Sequence, residues 1–167
     1  MARFNGTVES ATALAAGANS NSATVGGLFL NWYVCTATTA RLRRVTIGVR
    51  AGASAPTSQQ VTVAMIRSSA IGAGATAQTP NQLDPNGAAS NCRYTGGTWT
   101  TTPTLAGTAV NNYMFDVSFN TQSGVDLPWE LLEELQIAGA NNGISFFNIG
   151  NALPASHLLT ASIEWEE

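Results

Sequence analysis

Residues 113–137 read YMFDVSFNTQSGVDLPWELLEELQI, and the fold turns on how this stretch divides. Tyr113, Phe115, Val117 and Phe119 alternate with Met114, Asp116 and Ser118, the period of a strand with one buried face. Residues 120–124, NTQSG, are turn chemistry. The remainder divides in two ways. Asp126 as an N-cap, with Pro128 and Glu130 in the first turn, describes a short helix. Val125, Leu127, Trp129 and Leu131 in alternation describe a strand that turns and restarts at Leu135. Strongly patterned strands before and after favour a sandwich. In it, 113–119 is a central strand, 126–134 a corner with at most a turn or two of helix, and 135–137 the start of the next strand.

The flanking patterns carry that choice. At 28–36, Leu28, Leu30, Trp32 and Val34 fall on one face and Phe29, Tyr33 and Cys35 on the other, so both faces are expected to be covered. Residues 42–50 put Val45, Ile47 and Val49 inward and Arg44, Thr46 and Arg50 outward. Residues 61–66 alternate through Val61, Val63 and Met65, and these two strands are expected to pair antiparallel across the loop 51–60. Asn142-Gly143 within GANNG is a hairpin signal, and ISFFNI at 144–149 follows as a strand. Leu159, Ala161, Ile163 and Trp165 close the chain in alternation. The expectation is an all-β fold: an antiparallel β-sandwich of jelly-roll type, one domain over 24–167, with at most one short helix.

Two regions stand apart. Residues 1–23 are rich in Ala, Ser, Asn and Gly, carry a turn signal at Asn5-Gly6, and have Phe4 and Val8 as their only evident anchors. They read as an extended N-terminal arm that becomes ordered against something else. From 67 to 112 the chain turns to Ala, Gly, Thr, Pro and Asn, with islands at 92–94 and 98–102. A stretch of this length without a helix of its own is an interacting loop or hides short strands. Trp99, in TWTTTPT, reads as an exposed aromatic or, by preference, as a residue at a sandwich edge.

The totals exclude several classes. At 167 residues the chain suits a single domain. Its charged fraction of 10% is well under the usual proportion of about a quarter. It has no Lys, and its seven positive side chains are all Arg. A net charge of −3 gives no electrostatic footprint for nucleic acid. The cluster Arg41, Arg43 and Arg44 reads as a set of salt bridges rather than a phosphate site. No run approaches a membrane span, and the first residues lack the continuous apolar core of a signal peptide, so synthesis in the cytoplasm is expected. A Lys-free, Thr/Ser/Gly-rich composition is nevertheless that of proteins working outside the cell. Virion proteins reconcile the two.

Chemistry is sparse. His157, the single histidine, adjoins Ser156, but no nucleophile elbow surrounds them, and an ordinary hydrogen-bonded histidine is the better reading. Cys35 and Cys92 lack metal-site spacing, and free buried thiols are preferred to a disulfide. Glu130, Glu133 and Glu134 form one acidic cluster, and Glu164, Glu166 and Glu167 another. A glycosidase would need two such carboxylates across one cleft. No catalytic residue, metal site or cofactor is expected.

Residues 105–167, through LPWELLEELQIAG, ISFFNIGNALPA and the closing SIEWEE, resemble the ends of small minor structural proteins of tailed bacteriophages; the LRRVTIGVR strand does so more loosely. The resemblance implies a virion component, most simply a capsid decoration (cement) protein that binds the assembled shell without catalysis. The implied partners are the major capsid protein or other virion proteins and further copies of the chain, a trimer by preference, with neither nucleic acid nor membrane. The residues expected at such contacts are Arg3, Phe4 and Val8 of the arm, Arg41 and Arg43 of the basic cluster, and Trp99. The competing class is a carbohydrate-binding or adhesive β-sandwich with Trp99 and Tyr94 as its stacking platform.

Overall fold

Period-two patterning becomes strands throughout. The computed structural model describes residues 1–10, 27–52, 55, 57–105, 113–130 and 133–167. Its strands are β1 (Arg3–Glu9), β2 (Leu28–Val34), β3 (Thr39–Ala51), β4 (Gln60–Ser68), β5 (Thr76–Gln78), β6 (Asn81–Gln82), β7 (Cys92–Gly96), β8 (Phe115–Asn120), β9 (Gly124–Pro128), β10 (Leu135–Ala138), β11 (Gly143–Asn148) and β12 (His157–Glu166). One sheet runs β10-β3-β12-β1-β6, with β9 also on β3, and the second runs β5-β7-β2-β11-β4-β8. The fold is an all-β antiparallel sandwich. Among the described strands, no two consecutive in the chain pair with each other.

The core lies between the sheets and converges on one ring. Trp165 of β12 meets Phe4 of β1 at 5.9 Å between ring centroids, Trp32 of β2 at 5.8 Å and Tyr94 of β7 at 6.5 Å. Phe4 and Trp165 belong to the first sheet, Trp32 and Tyr94 to the second, so this cluster fastens the two layers. The outer face of the second sheet is covered as well. Leu28, Ile66 and Phe147 form a second cluster with Trp99, and Leu105 and Tyr113 pack against it. Every residue of β2 and β11 is therefore buried, as the two-faced apolar pattern of 28–36 requires.

Several expectations change. The presumed arm is divided: residues 3–9 are β1, paired along their length with β12 and at Phe4 and Asn5 with β6. This segment buries itself, since Phe4 is only 2% exposed; residues 11–23 lie outside the described residues. Asn5-Gly6 is not a turn. Gly6 makes room for Tyr94, whose ring would lie 2.4 Å from any Cβ there. The strands β3 and β4 do not pair; they belong to opposite sheets, so the loop between them crosses the sandwich.

The same holds for GANNG, which carries the chain from β10 in the first sheet to β11 in the second. Asn141 takes the positive φ of 66°, and its N–H donates to Val34 O at 2.7 Å. Gly143 is instead a strand residue whose Cβ would lie 2.3 Å from Trp32 O. In β2, a register shift between Phe146 and Phe147 of β11 makes Phe29 the extra residue. Leu28 therefore turns to the outer cluster, away from Leu30, Trp32 and Val34.

The opening stretch is also redrawn. Its strand, β8, is an edge strand rather than a central one, because β11 occupies the other side of β4. The crossing between sheets falls at 121–123, before the expected corner. Val125 and Leu127 then alternate within β9, which pairs with β3 at 44–48 while β10 pairs at 39–42. The alternating reading holds over 124–128, and Leu131 lies outside the described residues. The start of a strand at Leu135 stands.

Glu167 ties the end of β12 to β7. Its carboxylate accepts hydrogen bonds from Asn91 N at 2.7 Å, Cys92 N at 3.2 Å, Trp165 Nε1 at 3.0 Å and the Ser90 hydroxyl. Burial alone would raise its pKa, but these bonds, led by Ser90 and Trp165, hold it below the usual glutamate range. A carboxyl lowered on folding contributes stability above its unfolded pKa and loses it as pH falls through the folded value. Glu167→Gln is expected to flatten the acid limb of the stability profile, read from urea midpoints at descending pH. Phe4→Ala is expected to cost about 3–5 kcal/mol. Removal of residues 1–10 should abolish cooperative unfolding, as calorimetry would register.

Candidate functional site

A bulge builds the most distinctive surface. Across β3 and β12, Glu164 is opposite Arg44 and Trp165 is opposite Leu42, which leaves Arg43 as an inserted residue. Leu42 and Val45, three apart, both point into the core at 0% exposure, and the two arginines between them face outward. A bulge also increases local twist. Here it places two guanidinium groups where strict alternation would allow one.

The charges around them are already matched. Arg43 reaches Glu134 with Nη1 and Glu166 Oε2 with Nη2, the latter at 2.7 Å. The Glu134 side chain is 2% exposed, so this is the buried end of the network. Arg44 grips Asp126 with both forks, Nε to Oδ1 at 2.7 Å and Nη2 to Oδ2 at 2.6 Å. That bidentate bond from Arg44, aided by Thr46, holds the Asp126 carboxyl below the ordinary range. Arg3 lies 3.8 Å from both Glu164 and Glu166. Arg3, Arg43, Arg44, Asp126, Glu164 and Glu166 line an open cleft of about 560 Å³ together with Pro128, Trp129 and Glu130. Trp129 is half-buried, and Glu130 is exposed.

Of the residues expected at contacts, the cleft unites Arg3 and Arg43. The others lie elsewhere. Phe4 is a core residue under Trp165, and Val8 packs half-buried against the core. Arg41 lies outside the cleft, with Nη1 3.9 Å from Met1 Sδ. Trp99 is buried against the second sheet at 7% exposure, and Tyr94 is at 5%, so these two rings do not form a stacking platform. Glu130 and Glu164, one from each acidic cluster, do line one cleft, but Glu164 sits beside Arg3.

His157 is 2% exposed. Its Nε2 accepts from Thr57 N at 3.2 Å while Nδ1 lies 3.1 Å from Ala155 O, so both ring nitrogens face backbone partners. Cys35 and Cys92 are free thiols, and burial raises the pKa of Cys92. Among the described residues no cluster of His, Cys, Asp or Glu is arranged to hold a metal.

Sequence reasoning missed Asp126, Trp129 and the carboxylates of β12 as neighbours of the arginines. One signal was present: Leu42-Arg43-Arg44-Val45 breaks the alternation and marks a bulge. The partner strands were not marked, because the pairings span most of the chain. Compared with models of known protein families and with curated proteins, the chain matches none.

Arg43→Met should destabilise the fold by roughly 3–5 kcal/mol, because it removes the guanidinium that Glu166 and the nearly buried Glu134 share. Arg44→Met, whose pair is half in solvent, should leave the urea midpoint almost unchanged.

Proposed function

We propose that this protein is a non-catalytic structural component of a tailed-bacteriophage virion, a capsid decoration protein that binds the assembled shell. The observation that carries the reading is the strand order. With the β5–β7 excursion set aside, the sheets run β1-β12-β3, with β9 and β10 end to end beyond β3, and β2-β11-β4-β8. From β1 to β4 and from β8 to β9 the chain alternates between layers. This order favours the jelly-roll reading, an architecture of two Greek keys that recurs in viral capsid and lectin domains. Fold alone does not carry function. The surface adds to it: Lys-free, rich in Thr, Ser and Asn, and with four of its seven arginines held in ion pairs. Such a surface suits area-driven attachment repeated over many copies, in which no single contact is strong.

Cosedimentation with assembled, undecorated shells tests the reading. Saturable binding at a fixed ratio to capsid subunits is the expected result. Failure to bind shells, or equal binding to unassembled subunits, overturns it.

The cleft favours a second reading, a glycan-binding module. A half-buried Trp129 beside Arg and carboxylate side chains offers a ring face and planar polar groups to a sugar. Trp32, Trp99 and Trp165 are buried, so fluorescence quenching by a soluble polysaccharide should come from Trp129 and vanish in Trp129→Phe. Quenching that persists in the variant, or none in the wild type, dismisses this reading.

A further inference from the structure

Among the described residues, β8 ends its sheet with no strand on its outer side, and its geometry is defined. Thr121 N donates to Gln59 O at 2.8 Å, in line with the β4–β8 register of Val61 with Phe119 and Val63 with Val117. This sets the parity. Odd-numbered residues of β8 exchange bonds with β4, so the N–H and C=O groups of Asp116 and Ser118 point away from the sheet. On β4, Thr62 O accepts from Ile149 N at 2.9 Å, so even positions there serve the β11 side and the parity agrees. Along the inner row, Phe119 is buried, Val117 is half-buried and Phe115 is 38% exposed. Among the described residues Phe115 is the one large aromatic left this open.

The neighbouring edge is protected in a way that β8 is not. Trp129 N donates to Arg43 O at 2.9 Å, so the even positions of β9 face outward. One of these is Pro128, which has no N–H to offer, and another is Asp126, charged and held by Arg44. Pro and charge at outward positions are how natural edges avoid pairing. β5 and β6 span three and two residues, too short to recruit a strand. β8 has six residues without Pro or Lys.

We propose that β8 is a self-association edge: two copies pair β8 with β8, antiparallel, about a two-fold axis through Val117. The sequence Phe115-Asp116-Val117-Ser118-Phe119 is self-complementary in this register. Asp116 stands opposite Ser118 of the second copy, so no like charges meet, and these positions carry the free N–H and C=O groups. Val117 stands opposite itself and Phe115 opposite Phe119, as non-hydrogen-bonded pairs whose side chains approach most closely. The exposed Phe115 ring is thereby covered, and the second sheet continues across both molecules. The contact is isologous and closes at two copies. It goes beyond the virion reading and stands without it.

The register makes the test specific. Cα atoms of a non-hydrogen-bonded pair lie about 4.5 Å apart, within the range a disulfide spans. In a Cys35→Ser background, Val117→Cys is expected to form a covalent dimer on oxidation, and Asp116→Cys and Ser118→Cys far less. Sedimentation equilibrium of the wild type should show a dimer. Phe115→Ser should weaken it roughly tenfold or more, and the concentration dependence of the unfolding midpoint that a dimer imposes should fade with it. A wild type that stays monomeric at high micromolar concentration, a trimer, or equal cross-linking at all three positions overturns the proposal.

Discussion

The end of β12 is the constraint on which the rest depends. Trp165 points inward and meets aromatic rings from β1, β2 and β7, while Glu164 and Glu166 on either side face outward toward three arginines. One short run therefore joins the layers through its inner face and organises the charged cleft through its outer face. The bulge in β3 opposite this point lets both happen. It keeps Leu42 and Val45 in the core beside Trp165 and still turns Arg43 and Arg44 out.

The strand order explains why this region has so much authority. Without hairpins between consecutive strands, each ladder joins segments that are distant in sequence. Such pairings repay their loop-closure entropy only when several form together. A central strand at the C-terminal end of the described chain, flanked by β3 and β1, completes the first sheet in one step. β1, though short, is held by β12 on one side and by Tyr94 packed over Gly6 on the other.

The charged cleft is largely self-satisfied. Arg43 with Glu134 and Glu166 forms its buried part, and Arg44 with Asp126 its solvent-facing part. Charges already paired in good geometry offer little to a reaction and something to recognition, where they set register and exclude mismatched partners. Among the described residues, the half-buried Trp129 and the outer edge of β8 are two places where the surface leaves apolar area or backbone groups without a partner.

Much of the fold was legible because period-two alternation reports directly on which side of a strand is dry. The strands around Trp32, Val45, Val63, Phe146 and Ile163 and the two covered faces of β2 all follow from local pattern. Partnership was not legible. Nothing local tells β3 that its neighbours are β12, β9 and β10 rather than β4, since several alternating strands would satisfy the same inward row. The turn signals at Asn5-Gly6 and Asn142-Gly143 misled because each glycine answers a close approach from a distant strand, at Tyr94 and at Trp32 O. The cleft was half-visible: the arginines and the broken alternation at 42–45 stood in the sequence, but the acids that meet them come from β9, β12 and the approach to β10. By itself the sequence determined that the chain is all-β and which faces of its strands are apolar, because burial alternates residue by residue. The tertiary structure alone decided which strands pair, which edge stays open and which charges meet, because those depend on register between segments far apart in the chain.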